Sequence, residues 1–165
     1  MRRTDREIID FDIIKEIINT NNLAVISMCN GEVPYGTMLH YAPVFNEDNK
    51  VKLIFHCAGN GRKNDFLHNN PEVSIFIGDN ANTRIVSGGH IGIKWTTHYR
   101  SVVVAGAVHW LENRNEKRVA AHAFMGHFSE ETMEITDVHL DMTAFFEVEA
   151  RSISGKQNPG PQRLQ

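Results

Sequence analysis

Phe55-His56-Cys57-Ala58-Gly59-Asn60-Gly61-Arg62-Lys63-Asn64-Asp65 is the stretch that decides how the rest of the chain is read. An apolar strand-like run enters a glycine turn, and two adjacent cations stand where a helix begins. Gly59 and Gly61 let backbone N–H groups approach a ligand closely, and the helix start presents donors with no intrahelical partner. Arg62 and Lys63 add positive charge, so the segment suits a phosphate. Charge-assisted hydrogen bonds contribute roughly 1.5–3 kcal/mol each, so three or four would hold a phosphate monoester tightly. Cations at a helix N-terminus also oppose the helix dipole, which an anion nearby would offset. A solvated turn whose Arg62 and Lys63 face water is the other reading of this spacing.

Working backwards, Leu23–Cys29 is an apolar run of strand length, followed by the hairpin signal Asn30-Gly31. A partner strand over Tyr35–Phe45 ends in Asn46-Glu47-Asp48-Asn49, and Val51–His56 completes an antiparallel meander. Ahead of these, Asp10–Asn19 sets Phe11, Ile14, Ile17 and Ile18 on one helical face and stops at Asn21-Asn22.

Working forwards, Arg62–Asn69 reads as a short helix with Phe66 and Leu67 inward, closed by Asn69-Asn70-Pro71. Glu72–Ile77 alternates Val73, Ile75 and Ile77 against Ser74 and Phe76 as a strand does. Gly78–Thr97 has no clear period and reads as a long loop. Tyr99–Leu111 is a strand with a bulge or bend expected at Gly106. Asn113–Phe128 is helical, with Val119, Ala123 and Phe124 on its expected inner face. Met142–Ile153 is the last strand, and Gly155–Gln165 reads as a loose tail. About six strands in meander order with peripheral helices predict a mainly β fold, a six-stranded antiparallel barrel. Residues 1–156 form one domain in this reading, with a flexible tail at 157–165.

Composition narrows the partners. A length of 165 residues with 41% hydrophobic and 22% charged side chains fits one ordinary globular domain. A net charge of -3 and a pI near 6.3 argue against nucleic acid or an anionic membrane as partner. Cys29 and Cys57 sit in strand-like runs and read as reduced thiols. Met1–Arg6 carries charge with no apolar segment behind it, and no run is long enough to cross a bilayer; a cytoplasmic setting follows.

The stretch Phe55–Asp65, continuing through Leu67 and Asn70-Pro71, resembles the phosphate-binding segment of the pyridoxamine 5′-phosphate oxidase-like split barrels that bind FMN. Met1-Arg2-Arg3-Thr4-Asp5-Arg6-Glu7-Ile8, Gly31-Glu32-Val33-Pro34-Tyr35 and Ile153-Ser154-Gly155-Lys156 are similar to the nitroimidazole-resistance (Nim-type) branch. That resemblance implies a six-stranded FMN-binding split barrel working as a homodimer, with two FMN sites in the interface. It further implies that Arg62 and Lys63 grip the FMN phosphate, and that His56 and Cys57 lie beside the ribityl chain. Thr37, Met38 and Leu39 would run along the flavin ring through backbone groups, and Ser101 would contact the cofactor from a later strand, often across the interface.

Two departures separate the chain from the oxidase proper. No arginine stands near Gly36, and the tail Gly155–Gln165 has no Trp and Arg substrate motif, which argues against vitamin-B6 oxidation. The function implied is a flavin-dependent oxidoreductase of the Nim-like type reducing a small acceptor, nitroaromatics included, with His56 as candidate pocket residue. Two rivals stand beside it: a flavin- or haem-binding module without turnover, in which His56 ligates iron, and a dimeric scaffold with a vestigial site. His56 also reads as an ordinary rim histidine. His40 and Tyr41 alternate near the proposed ring site, so one of them faces it; Trp95 reads as a loop anchor or a stacking group. His122 and His127, five apart on a helix, do not make a metal pair, and no metal is expected. Gly88-Gly89-His90-Ile91-Gly92 lacks the strand–helix setting of a dinucleotide fingerprint, so the electron donor is not named by the sequence.

Overall fold

In the computed structural model, residues 3–158 are described, the side chain of Ile93 excepted. The strands and helices are β1 (Glu7–Ile8), α1 (Phe11–Thr20), β2 (Leu23–Cys29), β3 (Pro34–Phe45), β4 (Val51–Cys57), α2 (Arg62–Asn69), β5 (Glu72–Gly78), β6 (Arg84–Val86), β7 (Thr96–Leu111), α3 (Arg114–Phe128), α4 (Asp137–Met142) and β8 (Ala144–Asn158). Six long strands pair in the order β8-β4-β3-β2-β5-β7, and β7 returns to β8, so the sheet closes into a barrel. The two- and three-residue strands β1 and β6 add to its rim and raise the expected six strands to eight. Only β2-β3-β4 is a meander: after β4 the chain crosses through α2 and resumes pairing on the far side of β2.

Alternation along the strands fills the interior. Ile26 and Met28, Leu53 and Phe55, Ile75 and Ile77, Val102 and Val104, and Phe146 and Val148 all point inward and are buried. Helix α1 starts on the Asp10 side chain, which accepts from the backbone N–H of Asp12, and lays Ile14, Ile17 and Ile18 on this core. Ile17 and Ile18 are fully buried, each stabilising the fold by roughly 1.5–3 kcal/mol. Helix α2 adds Phe66 and Leu67 to the same core. A second cluster lies outside the barrel, where Ala120, Ala121 and Phe124 of α3 and Leu140 of α4 cover Ala42, Ile54, Leu111 and Phe145.

Several expectations change. The Asn30-Gly31 hairpin forms, but its connection is four residues long because Cys29 pairs with Pro34. Asn30 then accepts from the N–H groups of Glu32 and Val33, and Gly31 takes φ 102°. The bulge at Gly106 is present as a register shift in the β7–β8 ladder. A Cβ there would lie 2.4 Å from the carbonyl oxygen of Glu149, so only glycine fits. The loop expected over Gly78–Thr97 holds β6, which pairs Arg84 with His98. Its Ile85 is exposed, so no burial pattern marked it.

Val119 points to solvent, and the small residues Ala120 and Ala121 make the close approach to the sheet instead. Helix α4 carries no periodic signal because Leu140 is its single buried residue; a capping box between Thr136 and His139 starts it. Strand β8 runs past Ile153 to Asn158, since Gly155 pairs with both Ile8 and Val102. The remainder of the expected tail, residues 159–165, lies outside the described residues. Among those described, no helix is long and apolar enough to cross a membrane.

Candidate functional site

Strand β3 changes partners half-way along. From Pro34 to His40 it pairs with β2, and from Tyr41 to Phe45 with β4. Strand β4 parts from it after Phe55, and its last two residues, His56 and Cys57, pair only with β8 before the turn into α2. The first half of β3 therefore offers a strand edge with no second strand beside it, at Thr37, Met38 and Leu39. Thr37 and Leu39 are partly buried, while Met38 is 66% exposed on the outer face. An open edge presents unpaired N–H and C=O groups, which suits a planar ligand with alternating donors and acceptors.

The helix start of the quoted stretch lies beyond the end of β4. Gly61 is the N-cap of α2, with φ 121° and no side chain to satisfy the first-turn N–H groups. Its carbonyl accepts from the N–H groups of Asn64 and Asp65, which closes the first turn. The guanidinium of Arg62 stacks over Tyr35, 4.8 Å from the ring centroid, and over Phe66 at 5.4 Å. Lys63 donates from Nζ to Asn64 Oδ1 at 2.8 Å. Among the described residues neither cation has a carboxylate partner.

Asn64 fixes this corner. It is buried, donates to the carbonyl of Ala58 at 2.9 Å, and accepts weakly from Cys57 Sγ at 3.8 Å. End of strand, glycine turn and helix start are tied through one amide.

His56, one residue before Cys57, points to the outer face beneath α3. Its ring meets Phe124 edge-on at 4.5 Å and lies 6.0 Å from Phe145. It lines a mostly apolar cavity of about 260 Å³ with Phe124, Met125, Ile135, Leu140 and Phe145. Partial burial, and then the nearby His40, push its pKa below the ordinary histidine value, so it is neutral at pH 7. His40 also faces outward: its Nδ1 lies 3.0 Å from the Asn22 carbonyl, and its ring meets Phe128 edge-on. Tyr41 instead points inward, fully buried, with its hydroxyl donating to the Ile18 carbonyl at 2.7 Å. Burial raises its pKa.

Ser101 is not brought to this place. It stands on the outer face of β7, three strands from β3, or about 14 Å along the sheet at ~4.8 Å per strand. Between them runs a row of outward side chains fixed by register: Met38 opposite Val25, Val25 opposite Phe76, Phe76 opposite Val103. Among the described residues no helix covers this row, and Phe76 is 46% exposed. Trp95 anchors its loop by donating from Nε1 to the Gly89 carbonyl at 3.0 Å.

A family model described as pyridoxamine 5′-phosphate oxidase matches residues 10–157, nearly the whole described chain. The chain belongs to this family. Solved structures with the same split-barrel fold include a candidate 5-nitroimidazole antibiotic resistance protein of Bacteroides thetaiotaomicron. It is 21% identical, with 91% of this chain and 85% of that one covered and a TM-score of 0.77. The FAD and heme binding protein of Mycobacterium smegmatis is 16% identical over 96% of this chain and 77% of its own, with a TM-score of 0.81. A flavocytochrome from Azotobacter vinelandii is also 16% identical, over 98% and 73%, with a TM-score of 0.78. At these identities the likeness is one of fold. No curated protein matches the chain.

For a member of the pyridoxamine 5′-phosphate oxidase family, the residues present fit a flavin phosphate: an uncapped helix start, a glycine turn, and two cations without acidic partners among the described residues. Three participants escaped the sequence reading. Tyr35 is the platform under Arg62, Asn64 the tie of the corner, and Phe124 the wall against His56. The adjacency of Asn64 to Lys63 was a usable signal, but the other two contacts join distant segments.

Proposed function

We propose that the chain binds FMN in an interface between two copies of itself and acts as a flavin-dependent oxidoreductase that reduces a small, flat acceptor of the nitroaromatic type. One observation carries this reading: the open edge of β3 at Thr37–Leu39 beside the uncapped, doubly cationic start of α2. A flavin ring and its phosphate need these two features together. The family match and the names of its structural relatives support a flavin. Flavin, when bound, supplies the electron transfer. Arg62, Lys63 and the first-turn N–H groups of α2 would hold the phosphate, and the edge of β3 would orient the ring. Neutral His56 would meet the acceptor at the apolar cavity without adding charge to it.

The homodimer is part of this reading. Val25, Met38, Phe76 and Val103 form an uncovered apolar row, and covering it with the same row of a second copy would bring Ser101 to the partner's β3. A dimer of this kind buries well over roughly 1,000 Å² in total. The setting assigned is the cytoplasm, where Cys29 and Cys57 remain thiols.

The test is the absorption spectrum of the purified protein and of the cofactor it releases on denaturation. Flavin bands and released FMN support the reading. Released FAD, a haem Soret band alone, or no flavin uptake from excess FMN would overturn it.

A further inference from the structure

The bare outer face contains a second feature, separate from the corner at Arg62 and Lys63. Phe76 and Val103 form the apolar floor of an open groove of about 530 Å³, with Gly78, Ser101, Ser154 and Lys156 around it. Registers place these side by side: Gly78 opposite Ser101, and Ser101 opposite Lys156. A Cβ on Gly78 would lie 3.1 Å from the Phe76 ring, so the missing side chain leaves that end of the floor flat.

Two cations reach the groove, and they differ. Arg100 is committed to two carboxylates, with Nε donating to Asp79 at 2.6 Å and Nη2 to Glu16 at 2.8 Å. Lys156 has no ion pair among the described residues, although Glu7 stands opposite it on β1. Its Nζ sits 5.8 Å from the centroid of the Tyr99 ring, held over that face. The groove is thus a flat apolar floor with hydroxyls on its rim and one positive charge that has no ion pair among the described residues. That chemistry suits a planar aromatic ligand whose edge carries or gains negative charge.

We infer that Lys156 of one protomer completes the flavin site of the other, facing the ring edge on which negative charge settles upon reduction. This rests on the FMN-binding dimer proposed above. Uptake of two electrons and one proton from an external reductant leaves one net negative charge on a flavin ring, and a fixed cation stabilises that form more than the oxidised one. Lys156 is therefore a positioning charge that raises the reduction potential, whereas Arg62 and Lys63 fix affinity.

The experiment titrates FMN-loaded wild type, Lys156→Met, Lys156→Gln and Lys156→Arg with dithionite against a redox dye, and measures oxidised FMN affinity alongside. Lys156→Met and Lys156→Gln should weaken binding of reduced relative to oxidised flavin about tenfold, a fall of ~30 mV for a two-electron couple. Lys156→Arg should restore the wild-type potential. Potentials unchanged in Lys156→Met and Lys156→Gln overturn the inference while leaving the FMN reading standing; a wild type that takes up no FMN overturns both.

Action across the interface is read from mixed dimers of Lys156→Met protomers with Arg62→Ala/Lys63→Ala protomers. In these, one cradle is intact and faces an intact Lys156 from the other chain, so its bound FMN should titrate at the wild-type potential. Titration at the lowered potential would place the lysine's effect within its own protomer and overturn the assignment.

Discussion

Two outer faces of this barrel carry apolar side chains, and they are finished in different ways. On one, α3 and α4 roof the strands, and Ala42, Ile54, Phe124, Leu140 and Phe145 form a second core. Salt links hold that roof together: Arg114 and Arg118 pair with Asp137 and Asp141, and Lys117 donates to the carbonyls of Leu140 and Thr143. On the other face, Val25, Met38, Phe76 and Val103 lie in a row that no helix covers among the described residues. Such a row, of four apolar side chains flanked by Ser27, Ser74 and Ser101, is an interface pattern. The roofed face adds a second core to the one inside the barrel, whereas in the reading proposed above the bare side and the split beside it serve assembly and ligand binding.

The largest effect expected belongs to the split. Arg62→Ala/Lys63→Ala removes two charge-assisted partners of a phosphate, about 3–5 kcal/mol, or two to four powers of ten in FMN affinity. Riboflavin, which lacks the phosphate, should lose far less, because the ring contacts proposed at Thr37–Leu39 would be untouched. Flavin fluorescence titrations of both ligands make the comparison. Equal weakening of the two, or none, would make the cation pair a solvated surface feature.

Under the roof, Phe124→Ala should cost about 3–4 kcal/mol of unfolding free energy in urea, the usual penalty for a buried phenylalanine. A loss below 1 kcal/mol would mean that the α3 layer contributes little to the core. On the bare face, Phe76→Ser should lower monomer stability by only about 1 kcal/mol, since roughly half of its side chain is exposed. The same substitution should weaken self-association enough to show monomer by sedimentation at micromolar concentration. A dimer that ignores it uses another surface.

A smaller effect comes from pH. His56, and by burial also His127, titrate below the ordinary histidine value in the folded chain. The unfolded chain binds these protons first, at about pH 6.5, so stability should fall as pH drops below that value and be flat above it. Urea unfolding at several pH values checks the sign, and His56→Gln should flatten part of the slope. Smallest of all, Val119→Ser should shift stability by under about 0.5 kcal/mol, since that side chain is 71% exposed. A large loss would show that α3 lies rotated toward the face read from its sequence.

How far the sequence alone carries is visible in these same elements. Strand β5 was legible because its side chains alternate with period two, β2 as an apolar run of strand length between turn signals, and α1 because its isoleucines recur at helical spacing. The glycine turn and the cations at Arg62 and Lys63 were legible because donors, charge and a helix start are contiguous in the chain. What pairs with what was not, because it depends on contacts between distant segments. Only the tertiary structure hands β3 from β2 to β4 at Tyr41, and so opens the edge at Thr37–Leu39. Only register across four strands lines Met38 up with Phe76 and Val103, and sets Lys156 beside Ser101. The rotation of α3 was likewise decided by packing, which preferred the close fit of Ala120 and Ala121 to burying Val119. Local pattern marks which side chains of a strand share a face; which segments lie beside them, and how a helix is rotated against them, is settled by closing the barrel.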